Sequence, residues 1–108
     1  MAMTPERKVK KKVADYLKSI GAYFFYPATG GYGRSGVPDI VGCYKGRFFG
    51  IECKAGKNKP TELQKNELKQ IIQAGGIATV TNEDTIHTLQ YILNGLPEPD
   101  PNQLELDL

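Results

Sequence analysis

Two strand-like runs, Asp39–Tyr44 and Arg47–Lys54, are separated by the single pair Lys45-Gly46. A hairpin that pivots on two residues fixes every cross-strand partner at once, because loop length and turn type set the register. With the pivot there, Tyr44 faces Arg47, Ile40 faces Ile51 and Asp39 faces Glu52. Directly opposed residues hold their Cβ atoms about 4.5–5.5 Å apart, and like charges so placed are destabilising. Two carboxylates held together therefore imply a shared proton or a bound cation. Lys54 follows two residues later on the same face as Glu52, while Ile40, Phe49 and Ile51 turn the other way as expected core. Acid, acid and lysine on one face suggest a metal-dependent site. The plain alternative is a surface hairpin whose acids pair with lysines. A bulge or a one-residue slip would turn Asp39 away from Glu52.

The rest of the chain reads as alternating helix and strand. Thr4-Pro5-Glu6 carries the signals of a helix start: a capping threonine, a proline in the first turn and an acid near the positive end. Val9, Val13, Tyr16, Leu17 and Ile20 recur at helical spacing, and Gly21 is the expected stop. Ala22–Tyr26 is aromatic-rich and reads as a strand ended by Pro27. A loop from Ala28 to Val37 with four glycines leads into the hairpin. After Lys57-Asn58-Lys59-Pro60, Thr61 opens a second helix through Leu63, Leu68, Ile71 and Ile72, closed by Gly75-Gly76. Ile77–Thr81 reads as a strand, and the strand–helix–strand crossover suggests parallel pairing. A last helix is expected from about Glu83 to Asn94, with Ile86, Leu89 and Leu93 inward. The order is helix, three strands, helix, strand, helix: an α/β fold with a mixed central sheet flanked by helices.

Size and composition suit one globular domain, at 108 residues with 40% hydrophobic and 24% charged residues. We expect that domain over residues 1–96, followed by an acidic, proline-rich tail over 97–108. No apolar run approaches a membrane span, and the N-terminus lacks a signal-peptide core, so a cytoplasmic protein of a bacterial or phage-infected cell is expected. Cys43 and Cys53 fall on opposite hairpin faces, which argues against a disulfide. With His87 as the single histidine, no zinc-ligand spacing exists. All fourteen Lys and Arg residues lie between Arg7 and Lys69, whereas the tail carries only acids. A basic body suggests a polyanionic partner; a solvated lysine-rich face is the plainer reading.

At Gly36-Val37-Pro38-Asp39 followed by Glu52-Cys53-Lys54, the chain resembles the PD-(D/E)xK nuclease superfamily, and within it the virus-type replication-repair nuclease (VRR-NUC) family. The resemblance runs over about residues 4–94 and includes Glu6, the Arg34–Asp39 segment and Gln64. It implies a restriction-endonuclease-like core and a Mg²⁺- or Mn²⁺-dependent endodeoxyribonuclease, structure-selective and acting on branched DNA such as four-way (Holliday) junctions. Phosphodiester hydrolysis needs a hydroxide at neutral pH and a counter-charge for the phosphorane, and a divalent metal on carboxylates supplies both. Oxygen-only ligands favour Mg²⁺ or Mn²⁺ over zinc. Asp39 and Glu52 would be the ligands, with the Cys53 backbone carbonyl a third. Lys54 would orient the attacking water or neutralise the transition state.

Two further residues stay open between roles. Glu6 either reaches the metal through water, as the resemblance implies, or only complements the helix N-terminus. Gln64 either joins the site or caps its own helix, since Thr61-Glu62-Leu63-Gln64 fits the capping-box pattern. Gly31-x-Gly33-x-x-Gly36 matches dinucleotide-binding spacing but leads into a strand rather than a helix, so a nucleotide-binding oxidoreductase is not supported. We read it as a loop that brings Arg34 and Ser35 to DNA phosphates. Lys8, Lys11, Lys12 and Lys57 are further phosphate contacts. His87 is expected on the exposed side of the last helix, without a role.

A small stand-alone nuclease without a recognition domain suggests a homodimer with two active sites. The tail peptide Gln103-Leu104-Glu105-Leu106-Asp107-Leu108 resembles the short peptide by which bacterial replication proteins dock on the sliding clamp. Gln103, Leu104, Leu106 and Leu108 would be its anchors; packing on its own domain or a partner copy is the alternative. The competing function is a catalytically silent nuclease-fold module that binds DNA at replication forks.

Overall fold

The computed structural model describes residues 3–28 and 33–95. The first helix, α1 (Pro5–Ser19), starts where Thr4 accepts the Arg7 N–H at 3.2 Å through its side-chain oxygen. It buries Val9, Val13, Ala14 and Leu17. The strands β1 (Tyr23–Phe25), β2 (Ile40–Tyr44) and β3 (Arg47–Cys53) follow, then helix α2 (Glu62–Gln73), strand β4 (Ile77–Thr81) and helix α3 (Leu89–Asn94). The sheet runs in the order β1-β2-β3-β4, antiparallel except for the parallel pair β3–β4. This is the expected element order.

The hairpin pivots where its length demanded. Tyr44 faces Arg47 and Ile40 faces Ile51. Lys45 and Gly46 both adopt positive φ, 51° and 80°, as the primed turns that match strand twist require. The ladder carries no bulge, so Asp39 and Glu52 stand next in register beyond Ile40 and Ile51.

Alternation along the strands sends two residue sets to opposite faces. Ile40, Phe49, Ile51 and Cys53 are sealed against Val9, Val13 and Leu17 of α1 and Leu89 and Leu93 of α3. On the other face, α2 packs on β3 and β4. The β1–β2 half of that face stays open: Tyr23, Cys43 and Phe48 form one exposed cross-strand row, with Phe25 also exposed.

Two expectations are corrected. The first strand is shorter than Ala22–Tyr26, covering only Tyr23–Phe25. The last helix does not begin at Glu83. Asn82 Oδ1 accepts the N–H groups of Asp84 and Thr85 at 2.8 and 3.1 Å, folding that stretch into a side-chain-capped turn. A short 3₁₀ segment, Ile86–Thr88, then leads into α3. In α2, the apolar Leu63 and Ile72 are 58% and 56% exposed. The helix instead turns Gln64, Glu67, Leu68 and Ile71 inward, a spacing of three, four and seven residues that defines one helical face. His87 is exposed, as expected. Among the described residues no helix is long and apolar enough to cross a membrane. The tail peptide with Gln103, Leu104, Leu106 and Leu108 lies outside the described residues.

Candidate active site

The site forms at the end of the hairpin away from its turn. Pro38 is buried beside Gly50, which anchors the approach of Asp39 to the sheet. Asp39 Oδ2 accepts the Cys53 backbone N–H at 2.9 Å. That bond ties the entrance of β2 to the exit of β3. Glu52 lies inside the sheet layer, only 1% exposed, and its Oε2 has no hydrogen-bond partner. Burial, then the neighbouring Asp39 carboxyl, raises the Glu52 pKa to about 9. Without a cation, burial and the neighbouring carboxyl disfavour a second negative charge on the Asp39–Glu52 pair. Burial also pushes the Cys53 thiol up to about 12, so its side chain is inert core, and the residue's polar atoms at the site are those of its backbone.

Lys54 leaves the strand with its backbone N–H donated to the Thr81 carbonyl at 2.9 Å. Its ammonium is largely shielded from solvent and stands 3.7 Å from Glu6 Oε1. The first turn of α1 thus reaches the same end of the sheet, and the structure gathers Glu6, Asp39, Glu52 and Lys54.

Gln64 sits on the inward face of α2, but its side-chain oxygen accepts the Thr61 N–H at 2.8 Å while Thr61 Oγ1 accepts the Gln64 N–H at 3.2 Å. The capping box that the sequence allowed is formed. The Gln64 amide NH₂ and the second lone pair of its side-chain oxygen remain for another partner.

Of the glycine loop, residues 29–32 lie outside the described residues, and the part from 33 to 37 is held against α2. Gly36 has φ 86°, and a Cβ there would come within 2.6 Å of the Leu63 carbonyl group and 2.9 Å of the Gln64 nitrogen. This close approach of backbone to the start of α2 admits no side chain. Just before it, Arg34 Nε lies 2.8 Å from Glu67 Oε1. Glu67 is 7% exposed, and no sequence signal singled it out, because its partner lies on a separate element. Arg34, Ser35, Lys8, Lys11, Lys12 and Lys57 are all exposed; Lys11 pairs with Asp15 at 3.0 Å.

The donor set suits a hard cation. Among the described residues no three His, Cys, Asp or Glu side chains come close enough to hold a metal ion between them, so the carboxylates of Asp39 and Glu52 would need backbone, water or phosphate oxygens to complete a shell. Mg²⁺ is commonly held in that way, through one or two carboxylates plus substrate. The buried, unpartnered Glu52 oxygen is the acceptor such an ion would satisfy.

A mixed sheet with helices on both faces, carrying Pro-Asp at one strand entrance and Glu-x-Lys at the next strand's end, defines a DNA nuclease of the PD-(D/E)xK class. The model of the archaeal Holliday junction resolvase (Hjc) family matches residues 6–80, and the chain belongs to that family. A candidate nuclease, p44, of Acyrthosiphon pisum secondary endosymbiont phage 1 is 29% identical over 97 residues, covering 87% of this chain and all of that protein. A solved VRR_NUC domain protein shares the fold, with a TM-score of 0.68 at 19% identity over 86% of this chain and 91% of that one.

Proposed function

We propose that this chain is a Mg²⁺- or Mn²⁺-dependent endonuclease that hydrolyses phosphodiester bonds in branched DNA, four-way junctions foremost. The observation that carries the reading is the Asp39–Glu52 pair, whose buried Glu52 oxygen lacks a partner, set beside a shielded Lys54 ammonium. Asp39, Glu52 and the Cys53 carbonyl would hold the metal. When bound, it would acidify a water and offset charge on the phosphorane.

The protein's own groups do the rest. Glu52 would be a ligand in its ionised form, so holding the cation would favour its deprotonation. Lys54, steadied by Glu6, orients the attacking water or neutralises the scissile phosphate. Gln64 offers the site its amide NH₂ and the second lone pair of its oxygen. Arg34, Ser35, Lys8, Lys11, Lys12 and Lys57 contact phosphates and position DNA without reading its sequence. A homodimer would present two sites to a junction. The open aromatic row of Tyr23, Phe25 and Phe48 supports it, since exposed apolar patches of this kind mark association surfaces.

The test is cleavage of a four-way junction and of the matching linear duplex with Mg²⁺, with Mn²⁺ and with EDTA. We expect junction cleavage with either metal, little duplex cleavage and none in EDTA. Equal cutting of duplex and junction would remove the structural selectivity. Full metal-dependent activity in Asp39→Ala or Lys54→Ala would overturn the site.

A further inference from the structure

One helical turn from Glu6, the surface opens into a cleft of about 340 Å³ lined by Met3, Arg7, Lys10, Lys11 and Tyr26. Its floor is an aromatic ring held on two sides. The Lys10 ammonium stands 4.6 Å from the Tyr26 ring centroid, and Phe24 meets that ring edge-on at 6.3 Å and 76°. Tyr26 is still 49% exposed, at the end of the edge strand β1. Among the described residues the ion pairs are Lys11–Asp15, Arg34–Glu67, Lys54–Glu6 and Lys65–Glu62; Arg7 and Lys10 belong to none of them.

We infer that this cleft binds one unstacked nucleotide of the branched substrate, its base on the half-exposed Tyr26 ring and its flanking phosphate on Arg7 and Lys10. An aromatic platform accepts any base, because every base has a π-face, and a basic side chain beside it can add its own cation–π contact to that base. Basic side chains beside such a platform track the backbone. The cleft lies on the flank of α1 that carries Glu6, and four residues of helix span only about 6 Å. A nucleotide held there is therefore close to the bond at the Asp39–Glu52 pair. A linear duplex keeps its bases stacked and can offer this cleft only phosphates, whereas a branch point offers a base as well. Tyr26 is thus a residue by which the enzyme distinguishes branched from linear DNA. The inference rests on the nuclease reading above, but its test reads binding rather than cleavage, so either can fail alone.

The experiment titrates the full chain, in EDTA, against a labelled four-way junction and the matching duplex, with 5-iodouracil at the branch point for photocrosslinking. Tyr26→Leu keeps apolar bulk against Phe24 but removes the ring; Tyr26→Phe keeps the ring. Tyr26→Leu should weaken junction binding at least about fivefold and leave duplex binding unchanged, while Tyr26→Phe binds both as the parent does. The crosslink should map to Tyr26. Arg7→Ala and Lys10→Ala should weaken both substrates and each flatten the salt dependence by about one counterion. Equal losses on junction and duplex in Tyr26→Leu, a loss in Tyr26→Phe matching that of Tyr26→Leu, or a crosslink mapping elsewhere would each overturn the inference.

Discussion

The Asp39 carboxylate accepts the Cys53 backbone N–H at 2.9 Å across fourteen residues of chain. One side chain thus closes the hairpin end and sets its own charge beside Glu52. The two tasks are separable. Asp39→Asn keeps an oxygen for the Cys53 N–H but loses the charge, so we expect unfolding free energy to stay within about 1 kcal/mol. Cleavage of a four-way junction should fall at least about a hundredfold, the scale for losing one transition-state electrostatic contact. Thermal melts and single-turnover cleavage check the two halves.

The second prediction concerns pH. Glu52 in the folded, metal-free protein titrates near 9 instead of at its usual 4.5. Below the unfolded value the group is neutral in both states, and its contribution to stability is fully present. Between about 4.5 and 9 only the unfolded chain ionises it, so stability falls as pH rises, by at most about 1.4 kcal/mol per pH unit. Melting temperature in EDTA should therefore decline from pH 5 to pH 9, and Glu52→Gln should flatten that decline. A melting temperature that is equally steep in Glu52→Gln would refute the assignment. In the parent, Mn²⁺ binding near pH 7 should release about one proton, measurable by calorimetry in buffers of different ionisation heat.

Gln64 invites a paired comparison. Thr61→Ala and Gln64→Ala both break the capping box, and each should cost about 0.5–2 kcal/mol of stability. If Gln64 also meets the substrate through its NH₂, only Gln64→Ala lowers junction cleavage, by about tenfold or more at temperatures where both variants are folded. Equal activities in the two variants would confine Gln64 to the cap.

A fourth expectation is steric. Gly36→Ala places a methyl 2.6 Å from the Leu63 carbonyl group, at a φ of 86°. The left-handed conformation alone costs about 1–2 kcal/mol, and the collision with backbone adds to it. The variant should melt well below the parent and lose cleavage, since the displaced segment runs directly into Asp39. Gly21→Ala, at φ 75° with open space around its Cβ, should lose only the conformational part.

Legibility in the sequence followed the range of the interactions involved. The Lys45-Gly46 pivot, the inward Ile40, Phe49 and Ile51, and the Thr4 and Thr61 caps were all readable, because each depends on neighbours within a few residues or on a two-residue turn. The start of the last helix was misplaced because Asn82 competes for the N–H groups of Asp84 and Thr85, a side-chain contest that apolar spacing does not record. The buried face of α2 was not legible for a different reason: the exposed Leu63 and Ile72 are apolar, while the polar Gln64 and Glu67 are turned inward.

From sequence alone came the hairpin register, and with it the opposition of Asp39 and Glu52: strand alternation and a two-residue turn leave no other pairing without a bulge. Sequence also supplied the element order and the concentration of basic residues on the nuclease body. The tertiary structure decided what the chain brings together from afar: Glu6 beside Lys54, Arg34 on Glu67, Lys10 over Tyr26. It also decided how deeply Glu52 is buried, which raises its pKa. Those outcomes depend on where α1 and α2 cross the sheet, which is set by packing between whole elements rather than by any local pattern of residues.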